Sequence, residues 1–322
     1  MKTLLVKIQC LLLIILSISA FCIFPLSNEN SLQNTEIISS QSGDSYQRIF
    51  VLGDPHGSNI MPWKYIVSRI DQLDYNSGGL DFVACVGDYD YEVGCSPDVT
   101  WKQAEDIRYI FLGENSINAP WFPIYGDHDA AFWKVAHEDM NMPPHSYYYV
   151  KDGILHIFLN PQLGQQVIGF LPPMTRHFLN YLLDVKYPNK TTIIYSHLGI
   201  EGITPHWDSP PHNKAANYLD FNWWSNFLTN HSNIRAFFAG HTHRSSRSGV
   251  QKRIWNNIYF ETVESMVACP ERAHFLSYSD GYEGEFPLLE IYENKIVVRE
   301  YSLNKGAFTG IGSTIDGETT LN

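Results

Sequence analysis

Five times along this 322-residue chain, a run of β-forming residues stops and gives way to an aspartate or a histidine. Arg48-Ile-Phe-Val-Leu-Gly53 leads into Asp54-Pro-His56-Gly57, and Leu80 to Val86 leads into Gly87-Asp88. Trp121-Phe-Pro-Ile-Tyr125 leads into Gly126-Asp127-His128-Asp129, Thr191 to Ser196 into His197, and Phe237-Phe-Ala into Gly240-His241-Thr-His243. Short apolar runs of this kind read as strands buried on both faces. Helical spacing lies between them. Tyr65, Ile66, Ile70 and Leu73 predict a helix from Pro62 to Leu73, and others are expected over Trp101 to Leu112, Met174 to Val185 and Leu219 to Leu228. Strands alternating with helices predict an α/β architecture. In open α/β sheets, sites gather at the carboxyl ends of strands, so these distant residues can meet at one place.

The residue types at those ends are metal-ligand types. Neutral imidazole is the commonest protein ligand for zinc and similar ions, and carboxylate with imidazole suits Mn, Fe or Zn. The set contains no cysteine, which argues against a structural zinc. A single Asp-x-His or Gly-His-x-His carries little weight by itself, because two histidines in a surface turn would read the same way. The ordered set of five, each after a strand, is what points to a metal site. Elsewhere, Ser146-Tyr-Tyr-Tyr-Val150 and Ile154 to Leu159 predict a hairpin across Lys151-Asp-Gly153, and Pro287 to Tyr292 with Lys295 to Tyr301 predict another across Glu293-Asn294. No internal sequence repeat is present.

Composition limits the functions open to the chain. At 44% hydrophobic and 14% aromatic it can bury the core of one large or two ordinary domains. A formal net charge of −12 excludes a nucleic-acid polymer as the expected partner, because phosphate backbones demand basic surface. A small anionic substrate would need local positive charge, such as bound metal. Lys2 and Lys7 flank an apolar run from Ile8 to Leu26, so residues 1–26 read as a signal peptide, either cleaved or kept as a membrane anchor. The body is therefore expected outside the cytosol, secreted or anchored facing outward. Residues 27–46 read as a flexible leader, 47–305 as the folded domain and 306–322 as a polar tail. Cys85 lies in an apolar run and reads as a buried core thiol, whereas Cys95 and Cys269 could pair in an oxidising compartment. Asn189-Lys-Thr and Asn230-His-Ser fit glycosylation sequons.

Over residues 48 to 245 the motifs resemble those of the calcineurin-like metallophosphoesterases, whose pattern runs DxH, GDx, GNH[DE], H, GHxH. The resemblance implies a two-sheet β-sandwich flanked by helices, an αββα arrangement that the closing hairpin suits. It implies a dinuclear site with Asp54, His56 and His243 on one transition-metal ion, Asp127, His197 and His241 on the other, and Asp88 bridging both. It also places His128 toward the substrate, with Asp129 holding its ring. The activity implied is hydrolysis of phosphomonoesters or phosphodiesters of a small substrate, by in-line attack of a metal-bridging hydroxide.

The chain departs from the pattern at Asp127, where the family keeps asparagine, and this puts full activity in doubt; a metal-bound binding or sensing protein on the same scaffold is the alternative expectation. Tyr91, three residues after Asp88, matches a tyrosine that binds ferric iron in purple acid phosphatases and is a candidate further ligand, although His56 stands where those enzymes keep glycine. His145, His206 and His212 fall in proline-rich loops and read as surface residues, and the stretch from Leu198 to Asn217 is expected to border the pocket.

Overall fold

A computed structural model describes residues 47–54, 63–89, 118–126, 129, 143, 145–160, 171–205, 219–241, 252–263, 285–292, 295–303, 305–308 and 318–320. They form two sheets. Sheet A comprises β1 (Gln47–Leu52), β2 (Phe82–Cys85), β3 (Trp121–Pro123), β10 (Glu285–Ile291), β11 (Lys295–Ser302), β12 (Ala307–Phe308) and β13 (Glu318–Thr320). Its order is β12-β11-β10-β1-β2-β3, with β13 also on β11; β1, β2 and β3 are parallel, while the β10–β11 hairpin runs against them. Sheet B comprises β4 (Tyr147–Lys151), β5 (Ile154–Leu159), β6 (Thr192–Ser196), β7 (Ile234–Ala239), β8 (Lys252–Trp255) and β9 (Ile258–Thr262). Its order is β4-β5-β6-β7-β9-β8, parallel through β5, β6, β7 and β9 and closed by an antiparallel strand at each edge.

Both faces of the central strands are covered. Every residue of β2, β5, β6 and β9 is buried, as their predominantly apolar sequences favour, the polar exceptions His156 and Glu261 included. Between the sheets lies a stacked aromatic column: Phe122 on Phe158 at 5.2 Å, Tyr147 on Phe158 at 4.8 Å, Phe158 on Tyr195 at 4.9 Å and Tyr195 on Phe238 at 5.9 Å. A second core lies on the other face of sheet B. There α2 (Pro173–Asn180), extended by a π-helical turn over Tyr181–Lys186, contributes Leu179, Leu182 and Leu183, and α3 (Phe221–Asn230) contributes Trp224, Phe227 and Leu228. One polar group is set deep between the sheets: His156 donates from Nε2 to Gln47 Oε1 (3.1 Å) and meets the Tyr195 hydroxyl through Nδ1 (3.3 Å). Burial pushes its imidazole down to about 3.

The first helix, α1 (Trp63–Ser77), runs four residues past the expected Leu73. Its buried positions Ile66, Val67, Ile70 and Leu73 end where the apolar spacing ends, but the backbone stays helical until Gly78 and Gly79 take positive φ. Asp74 then closes the end, its carboxylate accepting from Leu80 N and its carbonyl from Gly79 N. Both expected hairpins form, and Asp152 (φ 45°) and Gly153 (φ 83°) make the tight left-handed turn that an Asp-Gly pair favours. The β8–β9 hairpin was not anticipated; it turns on Asn256 and Asn257, both left-handed. Two short stretches of the expected polar tail, β12 and β13, lie on the edge of sheet A. Cys85 is buried in β2 as read, and the helix expected over 101–112, with Cys95 and Cys269, lies outside the described residues. No helix among the described residues is long and apolar enough to cross a membrane.

Candidate metal centre

Strands from both sheets deliver their side chains to one end of the sandwich. From sheet A, β1 runs into Asp54 and β2 into Asp88; from sheet B, β6 runs into His197 and β7 into His241. All four are buried, Asp54 and Asp88 completely. Two of them hold left-handed backbone, Asp88 at φ 57° and His241 at φ 70°, a conformation uncommon outside glycine but most tolerated by Asp, Asn and His. The turn residues around them are glycines because the chains touch. A Cβ at Gly87 would stand 2.7 Å from both Gly126 N and His197 Nδ1. At Gly126 it would overlap the Asp88 carboxylate, and at Gly240 the Asp54 carboxylate.

Asp88, His197 and His241 each place a donor atom within 4.8 Å of the others'. The orientation of His197 is fixed from behind: its Nδ1 donates to the Val86 carbonyl at 2.8 Å, so Nε2 faces the cluster with its lone pair, 3.5 Å from Asp88 Oδ1. Its other edge passes 3.5 Å from Asp54 Oδ1, and the rings of His197 and His241 cross at 73° with centroids 5.1 Å apart. A carboxylate and two imidazoles converging from rigid strand ends fit a divalent transition metal, and the burial of the carboxylates gives that charge something to neutralise.

Asp129 is buried one layer behind the cluster. Its Oδ2 accepts from Asp88 N (2.8 Å) and Gly126 N (2.6 Å), and its Oδ1 from Tyr89 N (2.7 Å). One carboxylate thus ties the turn after β2 to the turn after β3. Burial pushes the Asp129 carboxyl up to about 7 and the charge of Asp88 adds to this, while the Gly126 N–H, His197 and the Tyr89 N–H pull it back.

Of the residues singled out in the sequence, the structure brings together Asp54, Asp88, Asp129, His197 and His241. His56, Tyr91, Asp127, His128 and His243 lie outside the described residues. The backbone grip of Asp129 went unforeseen, as did the Val86 carbonyl behind His197. A carbonyl that orients a ligand leaves no mark on the residue that carries it, so no sequence signal could have found it.

The calcineurin-like phosphoesterase family profile matches residues 47–245. No curated protein sequence matches the chain. Among solved structures, a dimetal phosphatase from Danio rerio superposes with a TM-score of 0.58 at 11% identity, covering 86% of this chain and 99% of that one. GAP50, described as the anchor in the inner membrane complex of Plasmodium, superposes with a TM-score of 0.52 at 14% identity, covering 86% of this chain and 89% of that one. At these identities the two share the fold and nothing finer. With the family profile matching residues 47–245 and so spanning every strand that feeds the cluster of Asp88, His197 and His241, the chain belongs to the calcineurin-like phosphoesterases.

Proposed function

We propose that the protein is a dinuclear, metal-dependent hydrolase of small phosphomonoesters or phosphodiesters. The observation that carries the reading is the convergence of Asp88, His197 and His241 within 4.8 Å, with His197 already turned to present Nε2. Two bound transition-metal ions would supply Lewis acidity toward a phosphoryl oxygen and a nucleophile at neutral pH. The chain's own part is to hold the donors in place. Asp88 is fixed through its backbone by Asp129 and would be a ligand held in place from behind. His197 keeps its tautomer through Val86, and the glycines at 87, 126 and 240 let the turns close to contact distance. By its place in the family pattern, His128 would give its proton to the departing alkoxide, worth on the order of 10²–10⁴ in rate.

Manganese-loaded protein is expected to hold about two ions per chain and to cleave an aryl phosphate ester, and Asp88→Asn to lose both properties. Elemental analysis that finds no ion after loading would overturn the assignment. Two bound ions without turnover on mono- and diesters would favour the second reading, a metal-bound scaffold that recruits or senses. That alternative is kept because Asp127 replaces the family's asparagine and because the similar Plasmodium fold is described as an anchor. We further propose that the protein acts outside the cytosol, on the strength of the Lys2/Lys7 flank and the Ile8 to Leu26 run. Fractionation that finds a soluble cytosolic pool beginning at Met1 would refute this.

A further inference from the structure

Away from the metal centre, where the outer edge of sheet B meets the β10–β11 hairpin of sheet A, three glutamates are buried around one lysine. Glu261 on β9, Glu285 on β10 and Glu300 on β11 are all at most 4% exposed. Lys252, opposite Glu261 in the β8–β9 pairing, reaches across the gap between the sheets to Glu300, with Nζ 2.5 Å from Oε1. The Tyr259 hydroxyl donates to Glu261 Oε2 from the same strand. Glu261 and Glu300, both ionised beside the single ammonium of Lys252, would leave one charge uncompensated away from water, an arrangement that is removed by neutralising a carboxyl group.

We propose that Glu261, Glu300 and Lys252 form a proton-dependent latch between the two sheets, in which a proton kept on Glu261 leaves Lys252 to pair with Glu300 and so holds β8–β9 against β10–β11. The groups facing the pair from the surrounding strands are Lys252 from β8, Tyr259 from β9 and Glu285 from β10; among the described residues Lys252 is the cation facing it. Burial first, then the Glu300 charge, push Glu261 from 4.5 up to about 8, with Lys252 and Tyr259 opposing. Burial works to lower the Lys252 ammonium, and the three glutamates together hold it above its ordinary value. The sign follows from linkage. Once the latch opens to water, Glu261 releases its proton near 4.5, whereas closed it keeps it until about 8. The latch is therefore tightest below pH 4.5, weakens about tenfold in its opening constant per pH unit up to about pH 8, and is level beyond.

Because β9 is paired to β7, which carries His241, and β10 to β1, which carries Asp54, the latch joins the two halves that meet at the metal centre. Hydrogen exchange of the metal-loaded full chain, corrected for intrinsic amide rates, tests the proposal. Protection of β8–β9 and β10–β11 amides is expected to fall roughly tenfold per unit from pH 5 to 8 in the parent, and Glu261→Gln, which keeps the shape without a titrating proton, is expected to lose that added slope. Lys252→Met should carry the falling phase to higher pH, since the cation that favours ionisation is gone. Equal slopes in parent and Glu261→Gln, or a phase in Lys252→Met that ends at the same or a lower pH, would overturn the latch.

Discussion

Asp129 is anchored by three backbone N–H groups in a place water does not reach, so its replacement has a defined cost. In Asp129→Asn one oxygen becomes an amide donor facing either Tyr89 N or the Asp88 and Gly126 pair. A buried donor left unsatisfied costs about 1–3 kcal/mol, and loosening the residue behind a ligand typically lowers metal affinity 10–100-fold. Thermal unfolding and a metal titration would check both. Gly126→Ala is sharper still: its methyl group would overlap the Asp88 carboxylate and stand 2.5 Å from the Asp88 backbone N, so the turns after β2 and β3 must part, and the variant is expected to retain no metal by elemental analysis and to unfold at a lower temperature. That Asp88, His197 and His241 would come together was readable, because each follows a buried strand by no more than three residues. The groups that hold them in place were not: Val86 acts through a carbonyl that every residue possesses. Glu261 and Glu300, glutamates in strands, carry no mark of burial until the second sheet is seen covering them.

Strands and hairpins carried the strongest local signals, since unbroken apolar runs and an Asp-Gly pair leave the backbone little choice. Gly153 isolates that effect. At φ 83° with nothing within 4 Å of an added Cβ, Gly153→Ala meets no steric neighbour, and the left-handed backbone alone is expected to cost about 1–2 kcal/mol, read as a lower denaturation midpoint. The β8–β9 turn was harder to see. Asn256-Asn257 is a weaker hairpin signal than Asn-Gly, and flanking Lys252-Arg-Ile-Trp255 exposes Arg253 and Ile254 at the sheet edge, so no clean alternation marks the strand. The end of α1 was misjudged for a related reason: apolar spacing reports which residues touch the core, whereas the helix stops where glycine permits the backbone to leave it.

At the scale of the whole molecule, two buried groups between the sheets oppose each other in their response to pH. His156 is held neutral, its value lowered from 6.5 to about 3, so its contribution to stability is complete above pH 6.5 and is lost as pH falls toward 3. Glu261 is raised from 4.5 to about 8, so its contribution is complete below pH 4.5 and is lost as pH rises toward 8. Where the ranges overlap, between about pH 4.5 and 6.5, these two slopes cancel, and the raised Asp129 carboxyl leaves a net fall as pH rises toward 7. In a denaturation series His156→Gln should steepen that fall and Glu261→Gln should flatten it; a profile unmoved by either substitution would mean that other groups set it. The metal centre has a different consequence at this scale. Asp54, Asp88, His197 and His241 each follow a strand by no more than three residues, so their positions are set by the sheets rather than by the connections that come after. A backbone built this way tolerates wide change in sequence: a chain with 11% identity still superposes over 86% of this one.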